Sequence, residues 1–241
     1  MGTLYTYDKK GNQLASVTDA LIGPGGIDWV GGNFMMACNQ TVALRQFAVF
    51  GGGKRVALVD ASRLPTGYTS FAVCKNHSFD SEENPFDGNL LVVLSQKSDM
   101  VNTLEMDLYR FEKGKSTTIH NYLSTAFTNM GGLCTDGHYH YLLFRNNTLP
   151  TPTTRFRKYL LDGKNARVIA NLDFSSYIGG DAKDICYDFN GPHFYVVDSN
   201  GASSVLLRIS PDLTTVTTAF SIPSGSFGVT TDGNNIYILG S

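Results

Sequence analysis

Short runs in which apolar and polar residues alternate, separated by Gly, Asn, Asp, Ser and Pro, extend along the whole chain. Leu4-Tyr5-Thr6-Tyr7-Asp8, Phe194-Tyr195-Val196-Val197 and Ile236-Tyr237-Ile238-Leu239 are examples. A period of two with β-branched and aromatic residues predicts strands, and the breaks predict turns. The runs also resemble one another. Gly132-Leu133-Cys134-Thr135-Asp136-Gly137 returns as Gly228-Val229-Thr230-Thr231-Asp232-Gly233, and each is followed by an aromatic-aliphatic strand. Diverged copies begin at Gly26-Ile27-Asp28-Trp29, Ser70-Phe71-Ala72-Val73-Cys74 and Asp184-Ile185-Cys186-Tyr187-Asp188. After each copy a third and a fourth strand are expected, such as Leu206-Leu207-Arg208-Ile209 and Thr215-Val216-Thr217-Thr218.

Anchored on Ile27, Ala72, Leu133, Ile185 and Val229, the units advance by 45, 61, 52 and 44 residues, and 39 more lead through the termini back to Ile27. Four short strands in about 40–50 residues is the unit of a propeller blade. The ends of the chain carry the same phasing. Leu4–Asp8 and Leu14–Val17 match the third and fourth strands of a unit, and Val229–Asp232 and Ile236–Leu239 match the first and second. Joining them completes one blade and leaves no open edge at the seam. The expected fold is therefore all-β: residues 1–241 form a single five-bladed β-propeller of four-stranded antiparallel blades.

The pattern Gly-aliphatic-x-x-Asp-Gly, an aromatic strand, a strand with Arg, then Asp/Lys-Gly, resembles the NHL and YVTN classes of β-propeller repeat. Ala72 and Ile185 lack the preceding Gly, and the second unit carries an insertion. The resemblance implies architecture; these repeats host unrelated functions.

Composition narrows the function. Charged residues are 17% and the net charge is −2, with no basic cluster beyond Arg155, Arg157 and Lys158, so nucleic-acid binding is not expected. The longest apolar run, Leu90–Leu94, is far too short for membrane insertion. Met1–Tyr5 enters a strand pattern at once, so no signal peptide is expected within this chain. Cys38, Cys74, Cys134 and Cys186 each sit in an apolar strand run and read as buried thiols.

In such a ring the fourth-to-first and second-to-third connections share one rim, here termed upper. They include Asp19–Gly26, Asp60–Ser70, Leu123–Gly131, Asp173–Lys183 and Pro223–Phe227, with Gln96–Asn102, Asn146–Thr154 and Ser199–Ser204. Tyr68, Phe127, Asn129, Tyr177 and Phe227 in these loops are the candidate ligand-binding residues, since aromatics among Ser, Thr and Asn suit sugar faces or protein hot spots. The competing reading is that the rings plug gaps between blades. On the lower rim the acidic stretch His77–Gly88 fits no calcium loop and reads as solvated.

No catalytic set is expected. A glycosidase needs two carboxylates across the scissile bond; Asp28, Asp181 and Asp184 are the candidates near the first strands, and no first strand holds a Glu. Asp136 and Asp232 precede Gly at hairpins and read as turn residues. His138 and His140, expected on one strand face, lack a third ligand, so no metal or cofactor is expected. The expectation is a non-catalytic binding or assembly module on a larger extracellular particle, such as a virion attachment component. Its partners would be other structural proteins or a surface glycan or receptor. A lectin and a five-bladed glycoside hydrolase are the alternatives.

Overall fold

The structure, a computed structural model, describes the backbone of residues 1–20, 22, 26–31, 34–38, 46–51, 54–60, 68–74, 90–96, 103–112, 115–125, 129–146, 153–162, 165–178, 181–199 and 202–241. Side chains are described for 1–20, 22, 26–29, 50–51, 54–56, 132–145, 153–160, 167–178, 181–199 and 202–241. Among these residues every regular element is a strand. In chain order they are β1 (Gly2–Asp8), β2 (Gln13–Asp19), β3 (Ile27–Gly31), β4 (Phe34–Cys38), β5 (Gln46–Gly51), β6 (Lys54–Asp60), β7 (Tyr68–Cys74), β8 (Leu90–Gln96), β9 (Thr103–Glu112) and β10 (Lys115–Thr125). They continue with β11 (Asn129–Thr135), β12 (His140–Asn146), β13 (Thr153–Asp162), β14 (Asn165–Asp173), β15 (Asp181–Asp188), β16 (His193–Ser199), β17 (Ser204–Ile209), β18 (Val216–Ile222), β19 (Ser226–Thr231) and β20 (Asn235–Gly240).

The strands sort into four-stranded antiparallel sheets: β3-β4-β5-β6, β7-β8-β9-β10, β11-β12-β13-β14, β15-β16-β17-β18 and β19-β20-β1-β2. The last is assembled from both ends of the chain. Leu4, Tyr5, Thr6 and Tyr7 pair with Leu239, Ile238, Tyr237 and Ile236. The seam read from the repeat phasing is therefore present as a ladder.

Packing explains why the inner strands are apolar on both faces. Successive side chains of a strand point to opposite sides. In β15, Ile185 joins a cluster with Cys134, Tyr141, Leu143 and Phe156 of the preceding sheet. Its neighbour Cys186 joins Tyr7, Val229, Ile236 and Ile238 of the following one. Val196 and Val197 of β16, and Leu207 and Leu206 of β17, divide in the same way. The β15–β18 sheet is thus sandwiched between two others, and in inner strands a half-buried alternation gives way to runs such as Leu142, Leu143 and Phe144, all at most 1% exposed. Burial of each such side chain contributes about 1.5–3 kcal/mol. The outer strands read differently: β2 and β18 are largely exposed.

The repeated glycine has a structural cause. A Cβ on Gly132, whose φ is +107°, would stand 2.7 Å from the Asp184 Cα, and one on Gly228 would stand 3.2 Å from Ile27 Cγ2. Glycine lets the next first strand approach. Of the expected third strand at Leu44–Phe47, Gln46 and Phe47 belong to β5, and Leu44 and Arg45 lie outside the described residues. Four upper connections are shorter than expected, and the candidates Tyr68 and Phe227 belong to β7 and β19 rather than to loops. Asn129 belongs to β11, opposite Arg145, and Asp181 already belongs to β15, opposite Ser199. The histidines do not share a strand face: His138 is exposed in the β11–β12 turn, whereas His140 starts β12 and is fully buried.

Candidate functional site

The lower rim is built from one turn used repeatedly. Asp136 Oδ1 accepts the N–H groups of His138 and Tyr139, and its Oδ2 accepts the Tyr141 hydroxyl at 2.6 Å. Asp232 does the same for Asn234, Asn235 and, at 2.8 Å, Tyr237. Thr135 and Thr231 each bridge their turn through the hydroxyl, and Gly137 and Gly233 adopt φ of 91° and 90°. Burial, and then the hydrogen bond to Asp232, pushes Tyr237 up to about 12; burial and Asp136 raise Tyr141 further. Asp188 is a third member that the Thr-Asp-Gly pattern did not reveal. It is 1% exposed, accepts the N–H groups of Asn190 and Gly191, and takes Lys9 Nζ at 2.6 Å from the β1–β2 turn. These aspartates are turn residues.

At the inner strands the enzyme candidates are equally engaged. Asp184, 2% exposed, accepts Ile185 N–H at 2.9 Å and, across to β19, Val229 N–H at 3.0 Å. Asp28 accepts Trp29 N–H at 2.8 Å and the Thr230 hydroxyl at 3.0 Å. Cys134 and Cys186, both buried, face neighbouring sheets; burial raises both thiols well above their usual range, and neither forms a disulfide. The side chains of Cys38 and Cys74 lie outside the described residues.

The upper rim between the β11–β14 and β15–β18 sheets is different in kind. Arg145 Nη1 reaches Asp181 Oδ1 at 2.8 Å, and Lys183 Nζ reaches Asp181 Oδ2 at 3.5 Å. The three side chains are 37%, 41% and 40% exposed. Beside them the segment after β14 makes a tight turn in which Tyr177 and Ile178 N–H groups bond the Phe174 carbonyl. The turn is fastened by Phe174 N–H to the Thr154 carbonyl and by the Ser175 hydroxyl, which accepts Thr154 N–H and donates to Asp173. That hydrogen bond from Ser175 holds Asp173 below its usual carboxyl range.

Phe174 and Ile178, four residues apart, both turn inward at 2% and 4% exposure. They plug the gap between sheets, while Tyr177 stands 49% exposed, its ring 5.8 Å from that of Phe174. The other candidates disperse. Phe227 is half-buried and packs on the cluster of Leu4, Ile22, Ile27 and Phe50. Asn129 and Tyr68 are placed by backbone only, opposite Arg145 and Ser95, and Phe127 and the acidic stretch 77–88 lie outside the described residues. Asn129, paired with Arg145, and Tyr177, four residues before Asp181 in the chain, are thus at the rim that carries the Arg145–Asp181–Lys183 network. Asp181 was weighed only as a catalytic carboxylate. Arg145 and Lys183 carried no repeat signal and were missed as site members, as was Phe189, a 42% exposed ring standing edge-on against Tyr187 at the lower rim.

No known family profile and no curated protein matches the chain. Solved structures do. A chain of the nidogen/laminin complex is 12% identical, with 98% of this chain and 84% of that one covered at a TM-score of 0.53. A protein of unknown function from Bacteroides thetaiotaomicron VPI-5482 is 13% identical, covering 100% of this chain and 76% of that one at 0.48. A TolB-like protein of Agrobacterium tumefaciens is 12% identical, covering 99% and 97% at 0.47. The likeness to the chain of the nidogen/laminin complex is one of fold and supports a β-propeller. Among the described residues no helix is long and apolar enough to cross a membrane.

Proposed function

We propose that the chain is a five-bladed propeller serving as a non-catalytic module that binds a protein through its upper rim at the junction of β11–β14 with β15–β18. The ring closure is supported by the inner strands, which neighbour one another in the cyclic order β3, β7, β11, β15, β19 and back to β3. The binding reading is carried by one observation: Tyr177 is held exposed on a fastened turn next to the solvated Arg145–Asp181–Lys183 network. A rigid aromatic flanked by charges that can exchange partners is the composition of a binding hot spot. The non-catalytic part is supported by Asp28 and Asp184, whose oxygens already serve backbone and Thr230 donors. Of the likenesses, the nidogen chain was solved as a complex with laminin, which is in keeping with protein recognition by this fold.

Display on a larger particle such as a virion is the finer form of this proposal and rests on the low charge and the Thr/Ser/Asn-rich composition. A glycan ligand is the second reading, favoured by the exposed Tyr177 ring. A photo-crosslinking residue at position 177, with one at Thr217 on the outer strand as control, tests the site in an extract of the source. A discrete protein adduct from 177 alone is expected; equal adducts from both refute it. A glycan array read with Tyr177→Ala as control decides the second reading.

A further inference from the structure

The outer strands carry one irregularity at the same place in every sheet. Between β1 and β2 the pairs Thr6–Ala15 and Tyr7–Gln13 leave Leu14 without an opposite number. Between β5 and β6 the pairs Val49–Ala57 and Phe50–Arg55 leave out Val56. Between β9 and β10 it is Ile119, between β13 and β14 Ile169, and between β17 and β18 Ala219. Each is a β-bulge with the extra residue in the fourth strand. The second-to-third ladders show no such shift. The first-to-second ladders also shift once in each sheet, with the extra residue in the first strand, so the bulges fall on the two edge strands of each sheet, inner and outer.

A free edge offers its N–H and C=O groups to any other strand, and a bulge twists the edge and interrupts its ladder. β6 opens on Lys54 and Arg55 and β10 on Lys115, but charge does not provide this protection in β14 and β18. β18 contains no charged residue and β14 only Arg167 before its terminal Asp173. β14 also exposes two adjacent apolar side chains, Val168 at 48% and Ile169 at 42%, and Leu14 and Val56 are 57% and 45% exposed. Such a strand, if straight, would be a template for association.

We propose that the repeated bulge is a guard that keeps the outer edges from pairing with a second copy of this chain, leaving the rims as the surfaces available to partners. Deleting the extra residue tests this with little disturbance. Without Ile169 the pairs Tyr159–Val168 and Lys158–Ala170 become consecutive and every other pair is retained. The deletion is expected to stay folded by circular dichroism and to sediment with at least double the wild-type mass as concentration rises. Val168→Lys added to the deletion is expected to restore the wild-type mass, because a lysine on the edge bars pairing. Ile169→Ser, which keeps the bulge, is expected to leave the mass unchanged. A folded deletion variant with wild-type mass overturns the proposal, as does association of Ile169→Ser as strong as that of the deletion. Deletion of Ala219 repeats the test in β18, where Leu207–Thr218 and Leu206–Phe220 would become consecutive. If both deletions unfold, the bulge is a folding requirement and the guard reading is wrong.

Discussion

Asp184 separates a structural from a catalytic account of the inner carboxylates. Its side chain is 2% exposed, and its two oxygens accept Ile185 N–H at 2.9 Å and Val229 N–H at 3.0 Å, the second across the gap between sheets. In Asp184→Ala both N–H groups lose a charged acceptor where water has little access. Hydrogen bonds to charged groups are worth roughly 1.5–3 kcal/mol each, and relief of the buried charge returns part of this, so a net loss of about 3–5 kcal/mol is expected. Asp184→Asn keeps one acceptor and turns an NH2 toward the other N–H, for a loss of about 2 kcal/mol. Urea denaturation at neutral pH measures both, with the midpoint falling and the slope unchanged; the thermal midpoint of the alanine variant should drop by roughly 10 °C. A carboxylate kept for catalysis is commonly held at the expense of stability, and its removal leaves stability unchanged or raised. An Asp184→Ala midpoint equal to or above wild type would therefore refute the strut assignment and reopen the enzymatic one.

Three further outcomes are expected. Tyr237 is raised in the folded state to about 12, so the neutral phenol stabilises the fold fully below the ordinary tyrosine range near 10, and that contribution is lost as pH climbs through 12. Unfolding free energy measured from pH 9 to 12 should fall less steeply in Tyr237→Phe than in wild type, and equal slopes would contradict the sign. Lys9→Ala removes the 2.6 Å partner of buried Asp188 and should cost about 1–3 kcal/mol in the same denaturation assay, whereas Lys10→Ala, whose side chain is exposed, should cost well under 1. Gly233→Ala places a Cβ 2.4 Å from Asn190 Nδ2 at a φ of +90°, and a loss of about 2 kcal/mol is expected, partly recovered when Asn190 is shortened to Ala.

The architecture was readable because the repeat is written in backbone requirements. Gly-aliphatic recurs where adjacent first strands approach, as Gly132 against Asp184 and Gly228 against Ile27 show. Thr-Asp-Gly recurs because the same turn needs a hydroxyl, a carboxylate and a positive φ. One of the two exceptions is also informative: Asp184 stands where three other units have Gly and reaches across to β19. Side chains that act across sheets left no such mark. Lys9 meets Asp188 across 179 residues of chain, and Arg145 meets Asp181 through a contact made by no other unit's copy among the described ion pairs. The aromatics of the upper loops were ambiguous for a related reason. Phe174, not Tyr177, fills the gap, because a turn with N–H groups from positions 177 and 178 folded back to the 174 carbonyl sends 174 and 178 inward together.

The two rims differ in what their charges are already doing, and this argues for where a partner binds. On the lower rim Asp8, Asp136, Asp188, Asp212 and Asp232 each accept backbone N–H groups of their own turns, so binding a partner there would have to break local structure. Hydrogen bonds from Asn12 hold Asp8 below its usual range, and those from Ser210 and Thr214 do so for Asp212. On the upper rim the Arg145–Asp181–Lys183 network lies on residues about two-fifths exposed, and such exposed pairs are worth roughly 0–1 kcal/mol. Exchanging them for a partner's charges therefore costs the fold almost nothing, while the Tyr177 ring, already fixed by its turn, loses little entropy on contact. Among the described residues, whose outer edges are bulged and whose lower-rim aspartates are internally satisfied, the exchangeable charges beside an exposed ring are those at the upper rim, and there the search for a partner should begin.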